Sequence, residues 1–378
     1  MKNILKTVAL LIVFLVGDLS YAQTQKTLID FFKPIPIQKP LVADGIWGAP
    51  NVLPRDITNG LEDPTMKKSN YWDGQIVKSN DGKYHMYVCG WDQSLSHSDG
   101  WRLGSKGIHA VSDNIMGPYV DKGLLWPQWR EGTGGNVIGL RMKDGRYAVV
   151  TSEITEGEVF VSNSPDGPFE LLGKIEIDPN GFNIGLARYQ NKKQLFYDHM
   201  SNVGILLRPD GKYMLIGRST APMISDNGIL GPYKIMGERV YMNYPELPQD
   251  YNEDPTLWYS GGLYHIVYNH WPTKTSHHFT SEDGLHDWKY RGIAFKKEAM
   301  IFKYTDGTVN NWKFVERPTA YVENGHVTHF LFSVLDVKKG EDKPNDNHGS
   351  KIIIVPFDGK AFDEHMQKII KAEKKVKK

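Results

Sequence analysis

Apolar and polar residues alternate along most of this chain in short runs, and glycine turns break the runs at recurring places. Gln75-Ile76-Val77 leads through Asn80-Asp81-Gly82 into Tyr84-His85-Met86-Tyr87-Val88, the pattern of two strands joined by a tight hairpin. A third strand is predicted over Gly107-Ile108-His109-Ala110-Val111-Ser112, and Gly117-Pro118-Tyr119 turns the chain toward a fourth. The same order recurs four more times. The second unit opens at Asn136, turns at Asp144-Gly145 and closes on Gly167-Pro168-Phe169; the third opens at Asn202, turns at Asp210-Gly211 and closes on Gly231-Pro232-Tyr233. The fourth opens at Glu253-Asp254, turns at Gly261-Gly262 and closes on Asp283-Gly284. The fifth opens at Glu316-Arg317, turns at Asn324-Gly325 and ends on Ile352-Ile353-Ile354-Val355. With Asp73, Asn136, Asn202, Asp254 and Arg317 as equivalent points, the steps are 63, 66, 52 and 63 residues.

A unit of four antiparallel strands cannot bury both faces alone, so the units must stack. The pattern predicts an all-β fold, a five-bladed β-propeller of four-stranded antiparallel blades over residues 69–360. Regular recurrence weighs against a two-sheet sandwich. Residues 23–68, with six prolines from Pro34 to Pro64 and no clean period, predict an extended segment without a fold of its own. Residues 361–378 predict a short basic tail with a helical pattern (Phe362, Met366, Ile369, Ile370), its last turn, Lys374-Lys375-Val376-Lys377-Lys378, solvated and frayed. Residues 1–22 read as a signal peptide, with Lys2 and Lys6 before an apolar run from Val8 to Val16 and Ser20-Tyr21-Ala22 at the cleavage site. That run is too short for a comfortable membrane span. The expectation is an exported protein, periplasmic or extracellular, with no membrane span after cleavage.

Charge changes the picture by exclusion. Forty-five Lys and Arg against 44 Asp and Glu give a formal net charge of +1, which argues against a nucleic-acid partner. The single cysteine, Cys89, has no partner for an internal disulfide and reads as a small buried strand residue. Aromatic residues make up 12%, with 10 Trp and 19 Tyr, which suits a carbohydrate-binding cleft as well as blade packing. No His/Cys spacing reads as a zinc site, and no glycine-rich phosphate cradle is present.

In a propeller the first strand of every blade lines the axis. The five blade openings therefore bring Asp73, Asn136, Asn202, Glu253 with Asp254, and Glu316 with Arg317 into one funnel. Paired carboxylates across a concave site are what glycoside hydrolysis needs, one to protonate the leaving oxygen and the other to activate water or attack carbon. Asp73, Glu253, Asp254 and Glu316 are the catalytic candidates. Trp72, Trp91 and Trp271 are expected to wall the pocket, with Asn136, Asn202, Arg218, His270 and Arg317 contacting substrate. The string Glu-Asp-Pro-Thr occurs twice, at 62–65 and 253–256, so at least one copy is expected to be scaffolding.

The five units, the acid at the first blade opening and the E-x-P string Glu253-Asp254-Pro255 resemble the five-bladed propeller glycoside hydrolases typified by family 43. The resemblance covers roughly residues 69–358. It implies Asp73 as general base and Glu253 as general acid. The family's acid-tuning aspartate falls at Asn202, an amide that cannot raise a neighbour's pKa by like-charge repulsion, which leaves Asp254 or Glu316 as alternative acids. It also implies that His348, before the last strand, reaches the channel to contact an axial water or Ca2+, with no other cofactor required. Arg218, Arg317, His109, His270, His277, His278, Tyr197 and Tyr268 are expected around the mouth, where cations and phenols suit a uronate or a sulfated sugar. The expected function is an exported glycoside hydrolase acting on a complex, acidic or sulfated glycan. Two alternatives stand beside it. One is a polysaccharide lyase that removes the C5 proton with Tyr or His; the other is a non-catalytic sugar-binding propeller, favoured by the asparagines at two blade openings.

Overall fold

Each sequence unit folds as its own small sheet in the computed structural model, which describes residues 26–43, 47–178, 198–296 and 301–376. Blade I holds β1 (Ser69–Lys78), β2 (Tyr84–Asp92), β3 (Lys106–Ser112) and β4 (Val120–Leu124); blade II holds β5 (Ile138–Arg141), β6 (Tyr147–Val150), β7 (Glu158–Ser162) and β8 (Glu170–Lys174). Blade III gains a fifth strand. The two-residue β9 (Ile177–Asp178) lies parallel to β13 (Tyr233–Ile235), outside β10 (Gly204–Leu207), β11 (Tyr213–Ile216) and β12 (Met223–Ser225). Blade IV is β14 (Asn252–Ser260), β15 (Leu263–His270), β16 (Thr275–Ser281) and β17 (Lys289–Lys296). Blade V has three strands, β18 (Phe314–Glu323), β19 (His326–Leu335) and β20 (Ser350–Pro356). Innermost strands pack in the cyclic order β1, β5, β10, β14, β18 and back to β1, so five blades close one ring. The predicted all-β five-bladed propeller is the fold.

The Gly-Pro-aromatic strings each occupy the turn between the last two strands of their blade. Their rings, Tyr119, Phe169 and Tyr233, drop into the spaces between sheets. Trp126 stacks on Phe160 at 3.9 Å between blades I and II, and Trp258 meets Phe330 edge-on at 5.7 Å between blades IV and V. Burying such rings is the main term holding neighbouring blades together.

The segment before β1 closes the ring. Leu61 exchanges both main-chain hydrogen bonds with Ile352, and the Asn59 side chain pairs with both main-chain groups of Ile354. These residues supply the outer edge that blade V lacks. The expected scaffolding copy of Glu-Asp-Pro-Thr is the one at 62–65. The Asp63 carboxylate accepts from the main-chain N–H groups of Thr65, Lys67, Lys68 and Ser69, while Glu62 is buried 3.0 Å from Lys351. The chain after β20 takes up the helical pattern and packs back on the ring. A helix over Gly359–Val376 buries Phe362, Met366 and Ile370, and Glu373 near its end pairs with Arg291 and Lys289 of β17.

Gly60 sits at that closing contact with φ +71°, and a Cβ there would lie 1.9 Å from the Ile352 carbonyl oxygen. Gly60→Ala must therefore push the closing strand off blade V. We expect a loss of more than about 2 kcal/mol in urea unfolding, and a loss under about 0.5 kcal/mol would refute this view of closure.

Candidate active site

The five residues aligned by the sequence repeat share one backbone conformation. Asp73, Asn136, Asn202, Asp254 and Arg317 have φ of +64°, +48°, +52°, +53° and +53°. In β1, β14 and β18 this residue lies in a bulge, where the pairing register shifts between Trp72 and Gln75, Glu253 and Thr256, and Glu316 and Thr319. Such bulges re-aim a side chain at the axis. Asn and Asp tolerate the left-handed region best, which explains four of the five; arginine there is a strained choice.

Around this girdle lies a cavity of about 400 Å³, a usual size for a small-ligand site. Nine of the sequence-predicted residues line it: Trp72, Asn136, Asn202, Arg218, Glu253, Asp254, Trp271, Glu316 and Arg317. A second recess of about 480 Å³ adjoins it and shares Arg218, Glu253 and Trp271, so Glu253 stands where the two meet. Four predicted residues do not line either space. Asp73 is buried behind Arg317, which pairs with it while donating to Asp254 at 3.3 Å. Trp91 stands behind the wall, with His97 edge-on to it at 5.2 Å. His270 bonds Thr273 at 2.8 Å. His348 pairs with Asp336 at 2.8 Å in the loop before β20. Among the other residues expected at the mouth, His109 pairs with His85, His277 with Tyr290 and His278 with His265 inside blades, Tyr268 is buried, and Tyr197 lies outside the described residues.

The carboxylates on the wall are tuned in opposite directions. Burial, reinforced by Asp254 and Glu316, raises the Glu253 pKa to about 8, and Arg218 at 3.4 Å from Oε2 does not offset this. Burial would raise Glu316 as well, but Lys339 at 2.6 Å and Lys274 at 2.9 Å take one oxygen each and hold it down to about 2. At neutral pH Glu253 therefore carries a proton and Glu316 does not. Across the opposite wall Trp101 donates its indole N–H to Asn136 at 2.9 Å, and Asn136 donates to Asn202 at 2.5 Å. The two asparagines hold one another and the Trp101 ring in place.

Sequence reasoning missed Lys339, Lys274, Trp101, Arg102 and His97. Lys339 lies between β19 and β20, Lys274 between β15 and β16, and the other three on a short helical stretch, residues 97–104, between β2 and β3. The one available clue was the length of the β2–β3 connection, with a tryptophan and an arginine side by side in it.

No protein-family model matches the chain. A curated relative, the extracellular endo-α-(1→5)-L-arabinanase 2 of Bacillus subtilis (strain 168), is 26% identical over 213 residues, 45% of this chain and 44% of that protein. The chain thus spans under half the length of the curated relative it matches. Among solved structures, a family 117 glycoside hydrolase produced by the marine bacterium Zobellia galactanivorans superposes with a TM-score of 0.54 at 15% identity, over 80% of this chain and 88% of that one. A family 43 β-1,3-galactosidase superposes with a TM-score of 0.50 at 12% identity, over 76% and 56%. These glycoside hydrolases share the five-bladed fold that the family 43 resemblance implied.

The Glu253 assignment has a consequence for stability. Folding raises its pKa from about 4.5 to about 8, so the stabilising proton is fully bound below the unfolded value and is lost as pH rises toward 8. Glu253→Gln cannot lose that proton. Its melting temperature should gain on wild type between pH 5 and pH 8 and level off above that, and a gap constant from pH 5 to pH 8 would rule the assignment out.

Proposed function

We propose that this protein is a glycoside hydrolase acting on a complex glycan that carries carboxylate or sulfate groups. One observation carries it: two carboxylates lining one cavity are tuned in opposite directions, Glu253 raised by burial and its acidic neighbours and Glu316 held down by Lys339 and Lys274. Glu253 gives its proton to the glycosidic oxygen as the bond to the anomeric carbon breaks. Glu316 faces the positive charge that builds on that carbon and takes the second carboxylate's part, whether against a water or against carbon directly. Asp73, given the base role by family resemblance, lies beneath Arg317 and acts by holding that guanidinium. The placement of Glu253 between the two recesses supports cleavage there, with sugar on both sides.

Substrate charge is supported by the wall's composition. Arg102, Arg218, Arg317 and Lys339 line the cavity against Asp254 and the ionised Glu316. Lys274, Glu153, Asp73 and Asp99 just behind them bring the count to five cations and five carboxylates, so the positive excess belongs to the lining itself. Trp271, half-exposed with Lys274 4.5 Å above its ring, offers a stacking face at the rim. Elimination is less well supported, since no tyrosine lines the main cavity among the described residues and its one histidine, His97, is wedged edge-on against Trp72 and Trp91. Export is supported by the basic, apolar and small-residue order of residues 1–22.

The test is a glycan panel, neutral and anionic, read for new reducing ends and for the ultraviolet absorbance of an unsaturated uronate. New ends without the chromophore, mainly on anionic glycans, are expected; the chromophore would overturn hydrolysis. The rate should hold level through acidic pH and fall as pH passes about 8. Glu253→Gln should lower kcat about a thousandfold on natural glycans and far less on dinitrophenyl glycosides, whose leaving group needs no proton. Equal losses on both would remove Glu253 from the acid's role.

A further inference from the structure

Two blades carry the same histidine pair. On β15 and β16, His265 Nδ1 meets His278 Nε2 at 3.0 Å; on β2 and β3, His85 Nδ1 meets His109 Nε2 at 2.9 Å. In both, the rings are parallel within 4° with centroids 5.2 Å apart. The pairs also hold the same diagonal place in the register, two residues from direct opposition. Their surroundings differ. The blade IV pair is sealed between Trp258 and Phe362 and, among the described residues, has no carboxylate paired with it. The blade I pair faces Asp166, a largely exposed residue on the turn after β7 in the neighbouring blade, whose Oδ1 lies 3.7 Å from His85 Nδ1 and 3.9 Å from His109 Nε2.

We propose that His85, His109 and Asp166 bind a first-row divalent cation such as Zn2+, clamping blade I to blade II at the hairpin end of blade I, outside the cavity. Three ligand atoms from two imidazoles and one carboxylate match what zinc takes in protein sites that keep a fourth position for water. The centre of the circle through those atoms lies about 2.1 Å from each, within the range of zinc–nitrogen and zinc–oxygen bonds. The supporting contacts are in place. His85 Nε2 lies 3.2 Å from the Ser79 hydroxyl, which fixes the ring with Nδ1 toward the site. The Tyr87 hydroxyl donates to the Pro165 carbonyl at 2.8 Å and so pins the turn that carries Asp166. The two facing nitrogens share one proton; ligation displaces it to solvent and tilts the rings until both lone pairs meet the ion. The blade IV pair shows what the dyad does without a carboxylate: it packs.

Chelator-stripped full-length protein titrated calorimetrically with zinc chloride should bind one ion at micromolar affinity or better and melt at a higher temperature with it. Asp166→Ala removes an exposed side chain, so its metal-free melting temperature should match wild type while zinc affinity falls more than about tenfold. No zinc binding by wild type, or a smaller loss in the variant, overturns the site.

Discussion

The structure depends on one guanidinium. Arg317 of blade V lies between Asp73 of blade I and Asp254 of blade IV, buried at the axis where the ring closes. Burial alone would ease the proton off, but the two carboxylates push the Arg317 pKa further up, so it stays charged. A buried pair of this kind adds little net stability over apolar packing, yet losing one partner leaves a stranded charge at a cost of ~3–5 kcal/mol. Its value here is positional. Three blades are fixed relative to one another at the floor of the cavity, and the Asp73 main-chain N–H, bonded to the Ser333 hydroxyl at 2.7 Å, adds a second link between blades I and V.

That floor explains how neighbouring carboxylates can differ so much. Asp254 is spent on Arg317 and presents its charge to Glu253, which is half-buried and meets Arg218 at 3.4 Å. Glu316, one residue before Arg317, points at two lysines from two different loops. The position that the family resemblance assigns to acid tuning is an asparagine in this chain, and the repulsion comes instead from Asp254 and Glu316. In this chain the like-charge repulsion on Glu253 comes from neighbours on its own blade and the next one.

How much of this was legible in sequence follows the range of the interactions involved. The axial positions could be read because their causes are local: glycine turns set the blade period, and Asn or Asp stands where the chain must enter left-handed backbone. Seven cavity residues followed from that register, and Arg218 and Trp271 from the expectation of cations and aromatic rings at the mouth. Lys274, Lys339, Trp101 and Arg102 could not be read, because their loops reach the axis only through packing between distant segments. Trp91 was misplaced for the related reason that β2 is long enough to carry it behind His97, and Trp101 takes the wall. Ring closure through Asn59 and Leu61 escaped notice because two residues of edge pairing leave no period. The helix at Gly359–Val376 was half-visible: its apolar stripe was there, while Glu373, which fastens its end, reads as one more charge in a basic tail.

The seam and the acid are linked. A half-buried Glu253 with a raised pKa and an arginine in left-handed backbone are both unfavourable locally, and each persists only if the surroundings cannot relax around it. An open stack of five sheets would relax by letting blades I and V part, admitting water to Arg317 and returning Glu253 toward an ordinary carboxylate. Gly60 against Ile352, the Asn59 side chain on Ile354 and the aromatic rings between blades prevent that parting. Asn59, Gly60 and Leu61, which line no part of the cavity, are therefore part of what sets the proton affinity of Glu253. Fixed geometry at the outer edge of blade V is transmitted inward through β20, β19 and β18 to the cavity wall.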